Sequence, residues 1–326
     1  NFHDKNSEYE YDVYPLRLMV CKNCYHCQLS HSVNPSILFK NYKYVSGTTK
    51  TGLIFFRQNA EYIIKYKNIL RGKVLDIACN DGSQLDFFKE FGWETYGVDP
   101  AENICPIAAL KGHHIICDFW NEKVALQLPV MDVIVAQNVF AHTQHVNDFL
   151  KNCKHVMNEK TSLFIQTSQK NMIINGEFDT TYHEHISFFN TRSMNELTRR
   201  NGLTLNRVCE NEIHGGSYIF EIKLSKDDAI YNVDTWMQEE ENAGLYKDST
   251  YHQFNNNAVN CVQNLKAKIL EYESAGYKCI GFGAAAKGQT VLCYGDIELD
   301  YIIDENPLKV GQFSPKMNIP VMNLEY

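Results

Sequence analysis

The sequence predicts an α/β fold built around a parallel sheet, and three observations support this prediction. Residues 73–100 have the pattern of a strand, a tight loop, a helix and a second strand. Short apolar runs then alternate with helical patterns as far as residue 167, which is typical of a doubly wound parallel sheet. A further strand, glycine turn and helix start occupy residues 279–290. We therefore expect a second, smaller unit of the same kind.

Length and composition limit the possible classes of protein. The chain has 326 residues, enough for two or three domains, and its 44% hydrophobic and 21% charged content is typical of globular proteins. A formal net charge of −8 disfavours nucleic acid as a partner. No apolar run is long enough to cross a bilayer, and no signal-peptide pattern is visible. Most of the eleven cysteines are scattered singly, so we expect reduced thiols and a cytoplasmic protein without a membrane partner.

The first recognisable motif is a C-x2-C knuckle formed by Cys21 and Cys24. Two cysteines at this spacing suit tetrahedral zinc, but a structural zinc site needs four ligands. We expect Cys21 and Cys24 to bind zinc only if an upstream pair completes the site. The alternative is a pair of free thiols on a hairpin. Tyr42 and Tyr44 follow in a polar, aromatic loop, where they either donate hydrogen bonds to a ligand or anchor a linker.

The next segments along the chain are a predicted helix and the strand, loop and helix that follow it. From Leu53 to Leu70, apolar residues recur every three or four positions, which predicts a helix with one buried face. Residues 74–78 form the apolar run of a strand buried on both faces. Residues 80–82 have turn chemistry, and the stripe of apolar residues from Leu85 onward predicts a helix that Gly92 ends.

Asp99 closes the second strand and suggests the ligand. A carboxylate at this point can accept hydrogen bonds from two ribose hydroxyls, while Gly82 lets the loop backbone approach a ligand at the helix N-terminus. A nicotinamide dinucleotide normally requires G-x-G-x-x-G, whereas Ala78 and Asn80 stand where other glycines are expected. S-adenosylmethionine carries no phosphate and demands fewer glycines. This favours S-adenosylmethionine over a dinucleotide, and a layer that binds nothing is the third possibility.

Three more strands are predicted, over residues 114–117, 132–136 and 162–167. Asp118 and Phe119 follow the first of them. The motif D-I-A-C-N-D-G, followed by G-V-D, resembles motifs of class I methyltransferases, and this resemblance implies that the acid contacts the adenine amine and that the aromatic ring covers the base. Asn138 and His142 follow the second, at the carboxyl end of the strand, where open α/β sheets bind ligands.

Residues 182–185 place Tyr182, His183, Glu184 and His185 in consecutive positions. The pattern is not H-E-x-x-H, so the helical zincin geometry is excluded. One histidine could act as a base, with Glu184 or a tyrosine orienting it. The alternatives are a metal pair formed by His183 and His185, and a solvated polar loop.

Two glycine-rich turns remain in the C-terminal part of the chain. His214 is followed by Gly215 and Gly216, which either permit unusual backbone angles near a ligand or form a plain hairpin turn. The turn from Gly283 to Lys287 could bind a phosphate through backbone N–H groups and the lysine, or it could bind nothing. Residues 227–275 between them are predicted to be largely helical.

In this order, the motifs resemble those of the S-adenosylmethionine-dependent C-methyltransferases of deoxysugar biosynthesis, which act on nucleotide-linked keto-sugars at C-3. The match covers nearly the whole chain, and the ordered set is specific although each motif alone is weak. The motifs are C-x2-C, the tyrosine loop at Tyr42, I-A-C-N-D-G, N-V-x-A-H, Y-x-E-H, H-G-G, G-F-G-A-A-A-K and D-E-N-P-L-K. Two departures are the absence of the family's first C-x2-C and a C-terminus shorter than is usual in the family.

The resemblance implies three domains. These are a zinc-binding region over residues 1–50, a class I methyltransferase core with a Rossmann-like fold over 51–205, and a second Rossmann-like domain over 206–326 that binds a nucleotide sugar. It also implies that His185 is the base, with Tyr182, Glu184 and Tyr42 lining the sugar site. The cofactor-binding residues that we predict are Asp76, Cys79, Asn80, Gly82, Asp99, Pro100, Asp118, Phe119, Asn138 and His142. The substrate-binding residues that we predict are Tyr44, His214, Gly215, Gly216, Gly283 and Lys287.

The expected activity is therefore transfer of a methyl group from S-adenosylmethionine to carbon. A base removes a proton next to a carbonyl group, and the resulting enolate attacks the sulfonium methyl in line. No metal is needed in this chemistry. The alternatives are an O- or N-methyltransferase that acts on a small molecule, and a non-catalytic binding module. The expected partner is a nucleotide-diphosphate sugar, and the sequence leaves the oligomeric state open.

Overall fold

In a computed structural model of the chain, the described residues are 2–4, 14–42, 44–168, 171–211 and 216–325. They form two compact units. The larger unit comprises Arg17–Asn171 and Glu184–Tyr246, and the smaller comprises Asn1–Leu16, Met172–His183 and Lys247–Tyr326. Within the described residues, no helix is both long and apolar enough to span a membrane.

The strands are short, as is usual for sheets of this kind. They are β1 (Leu18–Val20), β2 (Cys27–Leu29), β3 (Lys73–Ile77), β4 (Glu94–Asp99), β5 (His114–Cys117), β6 (Val133–Gln137), β7 (Ser162–Ser168), β8 (Ser187–Phe188), β9 (Thr204–Asn211), β10 (Ser217–Lys223), β11 (Ile280–Phe282), β12 (Tyr301–Ile303) and β13 (Val321–Met322).

The helices connect and cover these strands. They are α1 (Pro35–Phe39), α2 (Lys50–Lys67), α3 (Ser83–Glu90), α4 (Cys105–Leu110), α5 (Glu122–Ala125), α6 (Val146–His155), α7 (Met172–Asn175), α8 (Thr191–Arg200), α9 (Val233–Asn242), α10 (Asp248–Ser274) and α11 (Ala286–Gly295). Helix α2 begins three residues before the predicted position, because the Thr49 side chain accepts a hydrogen bond from the Gly52 amide. It ends at Asn68, which adopts a left-handed conformation with φ 52°.

A seven-stranded sheet with the order β5-β4-β3-β6-β7-β10-β9 forms the centre of the larger unit. The first five strands are parallel, as predicted, whereas β10 is antiparallel to both β7 and β9. One face packs against α6 and α8 through residues such as Leu150 and Met194. The other face packs against α2 and α3 through residues such as Ile63 and Phe88. Because both faces are covered, the central strands are continuous apolar runs in the sequence.

The predicted domain boundary after residue 205 does not coincide with this division. Strands β9 and β10 complete the core sheet, so the larger unit extends to Tyr246. Met172–His183, which the prediction placed in the core, groups with the smaller unit instead. The physical reason is long-range pairing, since β10 forms a ladder with β7 that no local sequence pattern specifies.

The smaller unit has its own parallel sheet with the order β11-β12-β13. Its core joins Val262 of α10 and Leu292 of α11 to Ile302 and Val321 of the sheet. Phe178 packs against this core, and its ring centroid lies 5.8 Å from that of Tyr294. This contact explains why the segment around Phe178 belongs to the smaller unit.

A buried carboxylate, Glu240 of α9, stabilises the larger unit at the start of α8. The Glu240 residue is 4% exposed and accepts hydrogen bonds from the Thr191 amide at 2.9 Å and the Thr191 hydroxyl at 2.7 Å. The hydroxyls of Tyr218 and Tyr246 also donate to it. A negative charge at a helix N-terminus is favourable, and the four donors offset the cost of burying it.

We expect Glu240→Gln to lower the free energy of unfolding by about 2–3 kcal/mol, because charged hydrogen bonds to a buried group are lost. Denaturant-induced unfolding followed by circular dichroism measures the change. Glu239→Gln is the matched control, since the neighbouring Glu239 is exposed. Equal stability of the two variants would show that the Glu240 network contributes nothing.

Candidate functional site

A tight loop after β3, residues 78–82, forms the centre of the candidate site and is called the cofactor loop below. Its backbone has positive φ at Ala78 (64°), Asn80 (51°) and Gly82 (74°). The amide of Ala78 donates to the Val98 carbonyl at 2.7 Å, which holds the loop against β4. A Cβ atom on Gly82 would lie 2.8 Å from His113 Cδ2, so only glycine fits there.

Asp99 ends β4 beside this loop. Its Oδ2 accepts a hydrogen bond from the Asn80 amide at 2.9 Å, and its Oδ1 accepts one from the Ala101 amide at 2.8 Å. Burial raises the pKa of Asp99, whereas the hydrogen bonds from these two amides lower it. Each carboxylate oxygen keeps a second lone pair, so the group can still accept a hydrogen bond from each of two hydroxyls.

Asp76 and Cys79 are buried beneath the loop. Burial raises the pKa of Asp76 well above its usual range, and the nearby Asp99 and Asp81 add to the effect. Burial also raises the pKa of the Cys79 thiol. A Cβ atom on Gly97 of the neighbouring strand would lie 2.6 Å from Cys79 Sγ, so these side chains leave no space at that point.

The remaining residues predicted to bind the adenosine lie at the carboxyl ends of β4 and β5. Pro100 follows Asp99, which is paired in register with Cys117, and Asp118 and Phe119 come next. Asp118 is exposed, and its Oδ1 accepts a hydrogen bond from the Phe119 amide at 2.7 Å. The parallel register therefore brings these residues to one edge of the sheet.

Two asparagines hold the tyrosine loop, residues 40–48, by its backbone. The Asn103 side chain accepts from the Tyr42 amide at 3.1 Å and donates to the Tyr42 carbonyl at 2.8 Å. The Asn80 side chain accepts from the Ser46 amide at 2.9 Å and donates to the Tyr44 carbonyl at 3.0 Å. The tyrosine loop is thereby fixed to the cofactor loop.

Tyr42 connects this loop to the segment that carries the predicted base. Its hydroxyl donates to Glu184 Oε2 at 3.4 Å, and its ring centroid lies 5.7 Å from that of Phe39. Burial raises the pKa of Glu184, although the hydrogen bond from Tyr42 opposes this. Tyr44 is half-exposed, and its ring centroid lies 6.4 Å from that of Tyr42.

His142 and His185 lie side by side, with ring centroids 5.1 Å apart. The Ile186 amide donates to the Ala141 carbonyl at 2.8 Å, which brings the two segments together. His185 is 7% exposed. His142 stacks on Phe39 at 5.7 Å, and burial, together with the neighbouring His185, lowers the pKa of His142 to about 3. His142 is therefore neutral and weakly basic near neutral pH.

Tyr182 and His183 belong to the stretch that groups with the smaller unit. Within that unit, the His183 Nε2 atom lies 3.1 Å from the Tyr14 carbonyl oxygen. Of the predicted H-G-G motif, His214 and Gly215 lie outside the described residues. Gly216 has a φ of 114°, a conformation that favours glycine.

Cys21 and Cys24 are the predicted zinc ligands. Hydrogen bonds from the Cys24 and Asn23 amides lower the pKa of the Cys21 thiol, whereas burial raises that of Cys24. Nearby Cys27 is buried in β2. In the described parts of the chain, no group of three or more His, Cys, Asp or Glu side chains could hold a metal ion. The described residues thus fit only half of a four-ligand site.

The Gly283 turn of the smaller unit resembles the cofactor loop, because it has a positive φ and an amide that donates to an aspartate. Gly283 has a φ of 89°, and the Ala284 amide donates to Asp304 Oδ2 at 2.6 Å. Asp304 directly follows β12, whereas Asp99 is the last residue of β4, and Lys309 donates to the Ala284 carbonyl at 2.8 Å. The Ala284 amide is therefore already occupied, whereas Lys287 is exposed in the first turn of α11.

The sequence analysis did not identify three residues near the candidate site, Asn103, Gln137 and Gln166. Asn103 is an exposed residue without a local motif, and it is identified only through its two bonds to Tyr42. The two glutamines are paired in register on β6 and β7. Polar residues inside otherwise apolar strands were the available signal in the sequence.

Three family models match successive parts of the chain. A zinc binding domain matches residues 1–39, a methyltransferase domain matches residues 54–208, and a C-methyltransferase C-terminal domain matches residues 212–326. The chain is 25% identical over 324 residues to the C-methyltransferase NovU of Streptomyces niveus, covering 96% of this chain and 77% of that protein. The chain belongs to the three-domain, S-adenosylmethionine-dependent C-methyltransferases.

Two further similarities each cover about half of the methyltransferase or less. It is 26% identical over 158 residues to the mitochondrial ubiquinone biosynthesis O-methyltransferase of Mus musculus, covering 42% of each protein. A crystal structure of magnesium protoporphyrin IX methyltransferase from Synechocystis with bound S-adenosylhomocysteine is 14% identical. It covers 53% of this chain and 83% of its own, with a TM-score of 0.42.

The geometry of the methyltransferase fits S-adenosylmethionine. The cofactor loop lies beside Asp99. Each oxygen of this carboxylate keeps a lone pair that can accept a hydrogen bond from a ribose hydroxyl. The loop needs no amide cradle for a pyrophosphate, because this cofactor has none.

We expect Asp99→Ala to weaken S-adenosylmethionine binding by about 1–3 kcal/mol, because an acceptor of buried hydroxyls is lost. Isothermal titration calorimetry measures the dissociation constant. Asp148→Ala is the control, since Asp148 is an exposed carboxylate in α6 of the same unit. Unchanged affinity in the Asp99 variant would contradict the assignment.

Proposed function

We propose that this methyltransferase acts on a carbon atom next to the carbonyl group of a nucleotide-linked keto-deoxysugar. The NovU relative supports carbon as the acceptor atom, since its name describes a C-methyltransferase. The ordered set of motifs supports the sugar substrate through its resemblance to the deoxysugar family.

Carbon is a weak nucleophile, so the substrate C–H bond must first lose a proton. The neighbouring carbonyl makes this proton acidic, and a positioned base accelerates its removal by about 10²–10⁴-fold. When bound, S-adenosylmethionine supplies an electrophilic methyl group. The task of the chain is to hold the base, to stabilise the charge that develops on the carbonyl oxygen, and to align the reactants.

His185 is the best candidate for this base, and its position beside His142 is the observation that carries the assignment. The two rings are 5.1 Å apart, but His142 has a pKa of about 3 and would be a poor proton acceptor. A positioned histidine is the side chain that most often acts as a general base. We therefore propose that His185 accepts the substrate proton and that His142 supports the pocket.

Tyr42 and Glu184 are proposed to contact the sugar. Their mutual hydrogen bond of 3.4 Å is long, so either group can exchange it for a bond to the substrate. The Tyr42 hydroxyl can donate to the carbonyl oxygen as negative charge develops there. The bonds from Asn103 to the Tyr42 backbone hold this hydroxyl near the site before the substrate binds.

We expect His185→Asn to retain S-adenosylmethionine binding and to lose methyl transfer by about 10²–10⁴-fold, because the base is removed while polarity is kept. Solvent deuterium exchange at the substrate carbon should disappear as well. Both are measured by NMR with a keto-sugar nucleotide, which also distinguishes a C–CH3 product from an O–CH3 product.

His145→Asn is the matched control, since His145 is exposed in the same unit. It should leave both transfer and exchange intact. If exchange persists in the His185 variant while transfer fails, another residue accepts the proton.

In the smaller unit, the turn from Gly283 to Lys287 is proposed to bind the substrate diphosphate. Because Asp304 occupies the Ala284 amide, the exposed ammonium group of Lys287 becomes the principal attraction for an anion. Ground-state binding of this kind affects the Michaelis constant more than the chemical step.

We expect Lys287→Ala to raise KM for the nucleotide sugar by about tenfold, the effect of one charged contact, with little change in kcat. Steady-state kinetics separates the two constants. Lys278→Ala removes an exposed lysine of the same unit and should change neither. A fall in kcat alone would assign Lys287 to the chemical step.

A further inference from the structure

Two cysteine side chains meet beside the last residue of β4. Cys105 is the first residue of α4 and is 4% exposed. Its thiol donates a hydrogen bond to the Asp99 carbonyl at 3.1 Å. Cys117 is the last residue of β5, is exposed, and is the register partner of Asp99. Both cysteines therefore lie next to the same residue of the core sheet.

The direction of the Asp99 carbonyl places the two sulfur atoms on the same side of β4. The preceding carbonyl, that of Val98, accepts hydrogen bonds from two amides of the cofactor loop and therefore points towards β3. Successive carbonyl groups along a strand point to opposite neighbours, so the Asp99 carbonyl points towards β5. Neighbouring strands are about 4.8 Å apart. The Cys105 sulfur thus lies between the end of β4 and Cys117.

The two thiols also interact with each other. Burial raises the pKa of Cys105, and a hydrogen bond with the Cys117 thiol raises this pKa further. Cys105 is therefore a neutral thiol near neutral pH, which is the form that donates to the Asp99 carbonyl. The pair consists of one enclosed thiol and one thiol that is open to solvent.

This difference in exposure decides which sulfur an oxidant reaches first. Accessible thiols react with oxidants in solution, whereas thiols enclosed by apolar groups do not. Cys117 can meet a small oxidant at the surface. Cys105 is protected from the oxidant, but it is held beside Cys117 and can react with the oxidised sulfur of that residue. The arrangement has one cysteine for attack on the oxidant and a second cysteine that resolves the product.

We propose that Cys105 and Cys117 form a reversible disulfide in the presence of a peroxide, and that this bond weakens binding of S-adenosylmethionine. The Cys117 thiolate attacks one peroxide oxygen, the O–O bond breaks, and a sulfenic acid forms while hydroxide leaves. The Cys105 sulfur then attacks the Cys117 sulfur, and the S–O bond breaks. The departing hydroxide takes the Cys105 proton and leaves as water. Two thiols and one peroxide thus give one disulfide and two water molecules.

The disulfide changes the part of the sheet edge that carries the proposed adenine contacts. Cys117 directly precedes Asp118 and Phe119. The new bond replaces the thiol hydrogen bond to the Asp99 carbonyl and draws the start of α4 towards the end of β5. We therefore expect Asp118 and Phe119 to be displaced. This effect on binding rests on the proposed position of the adenine, whereas formation of the disulfide does not.

Peptide mapping after treatment with hydrogen peroxide tests the site itself. Trypsin cleaves at Lys111, between the two cysteines, and leaves them as the single cysteines of peptides 90–111 and 112–123. We expect these two peptides to be linked, and the link to disappear on reduction with dithiothreitol. The proposal is wrong if no link forms, or if peptide 90–111 is linked instead to peptide 74–89, which contains Cys79.

Calorimetry with S-adenosylmethionine, after the peroxide is removed, measures the consequence for binding. Oxidation should weaken binding about 10-fold, as expected for loss of a hydrogen bond to a charged group, and dithiothreitol should restore it. Cys117→Ser should bind like the reduced protein and should not respond to peroxide. Cys261→Ser is the matched control, since it removes an exposed cysteine of the smaller unit, and it should keep the response.

A further variant separates this inference from the proposed position of the adenine. Asp118→Ala should weaken binding of S-adenosylmethionine to the reduced protein. Unchanged affinity in that variant would contradict the adenine position, while the linked peptides would still establish the disulfide. A disulfide that forms in the unaltered protein and leaves the affinity unchanged would refute its effect on binding.

Discussion

The hydrogen bonds of Asn80 are the constraint on which the site depends. Its backbone amide binds Asp99, and its side-chain amide binds the backbone of the tyrosine loop at Tyr44 and Ser46. One residue in a left-handed conformation therefore links the proposed ribose acid to the loop that carries Tyr42. Such a conformation is unfavourable for most side chains, but asparagine tolerates it comparatively well. Here the three hydrogen bonds compensate for it.

The same arrangement of a strand, a loop and an aspartate occurs in both units. In each unit a parallel strand leads into a loop with a positive φ. An aspartate at or directly after the end of the next strand accepts one hydrogen bond from a loop amide and one from the amide two residues after itself. The two loops differ in their surroundings. The cofactor loop is mostly buried and is bonded to the tyrosine loop, whereas the Gly283 turn is exposed and has Lys287 beside it. The first design favours a ligand that is largely enclosed, and the second favours electrostatic attraction of an anion.

Two kinds of buried polar group occur in the larger unit. Glu221 and Glu240 have several donors each and stabilise strand and helix packing. Some side-chain atoms of Gln137, Asn138 and Gln166 are also buried, but they have no hydrogen-bond partner among the described residues. The distinction is chemical, since a buried carboxylate without donors would destabilise the fold by far more than an unpaired amide does.

Local patterns in the sequence determined the strands β3 to β7, the cofactor loop, the position of Asp99 and the segment of His185, because each depends on residues close together in the chain. Tertiary structure decided what these patterns leave open. The pairing of β10 with β7 moved the boundary between the units, and the bond from Ile186 to Ala141 placed His185 beside His142. The hydrogen bonds of Asn103 with Tyr42 arise in the same way. Their significance depends on strand register and on contacts between distant residues, which periodicity within a short segment cannot encode.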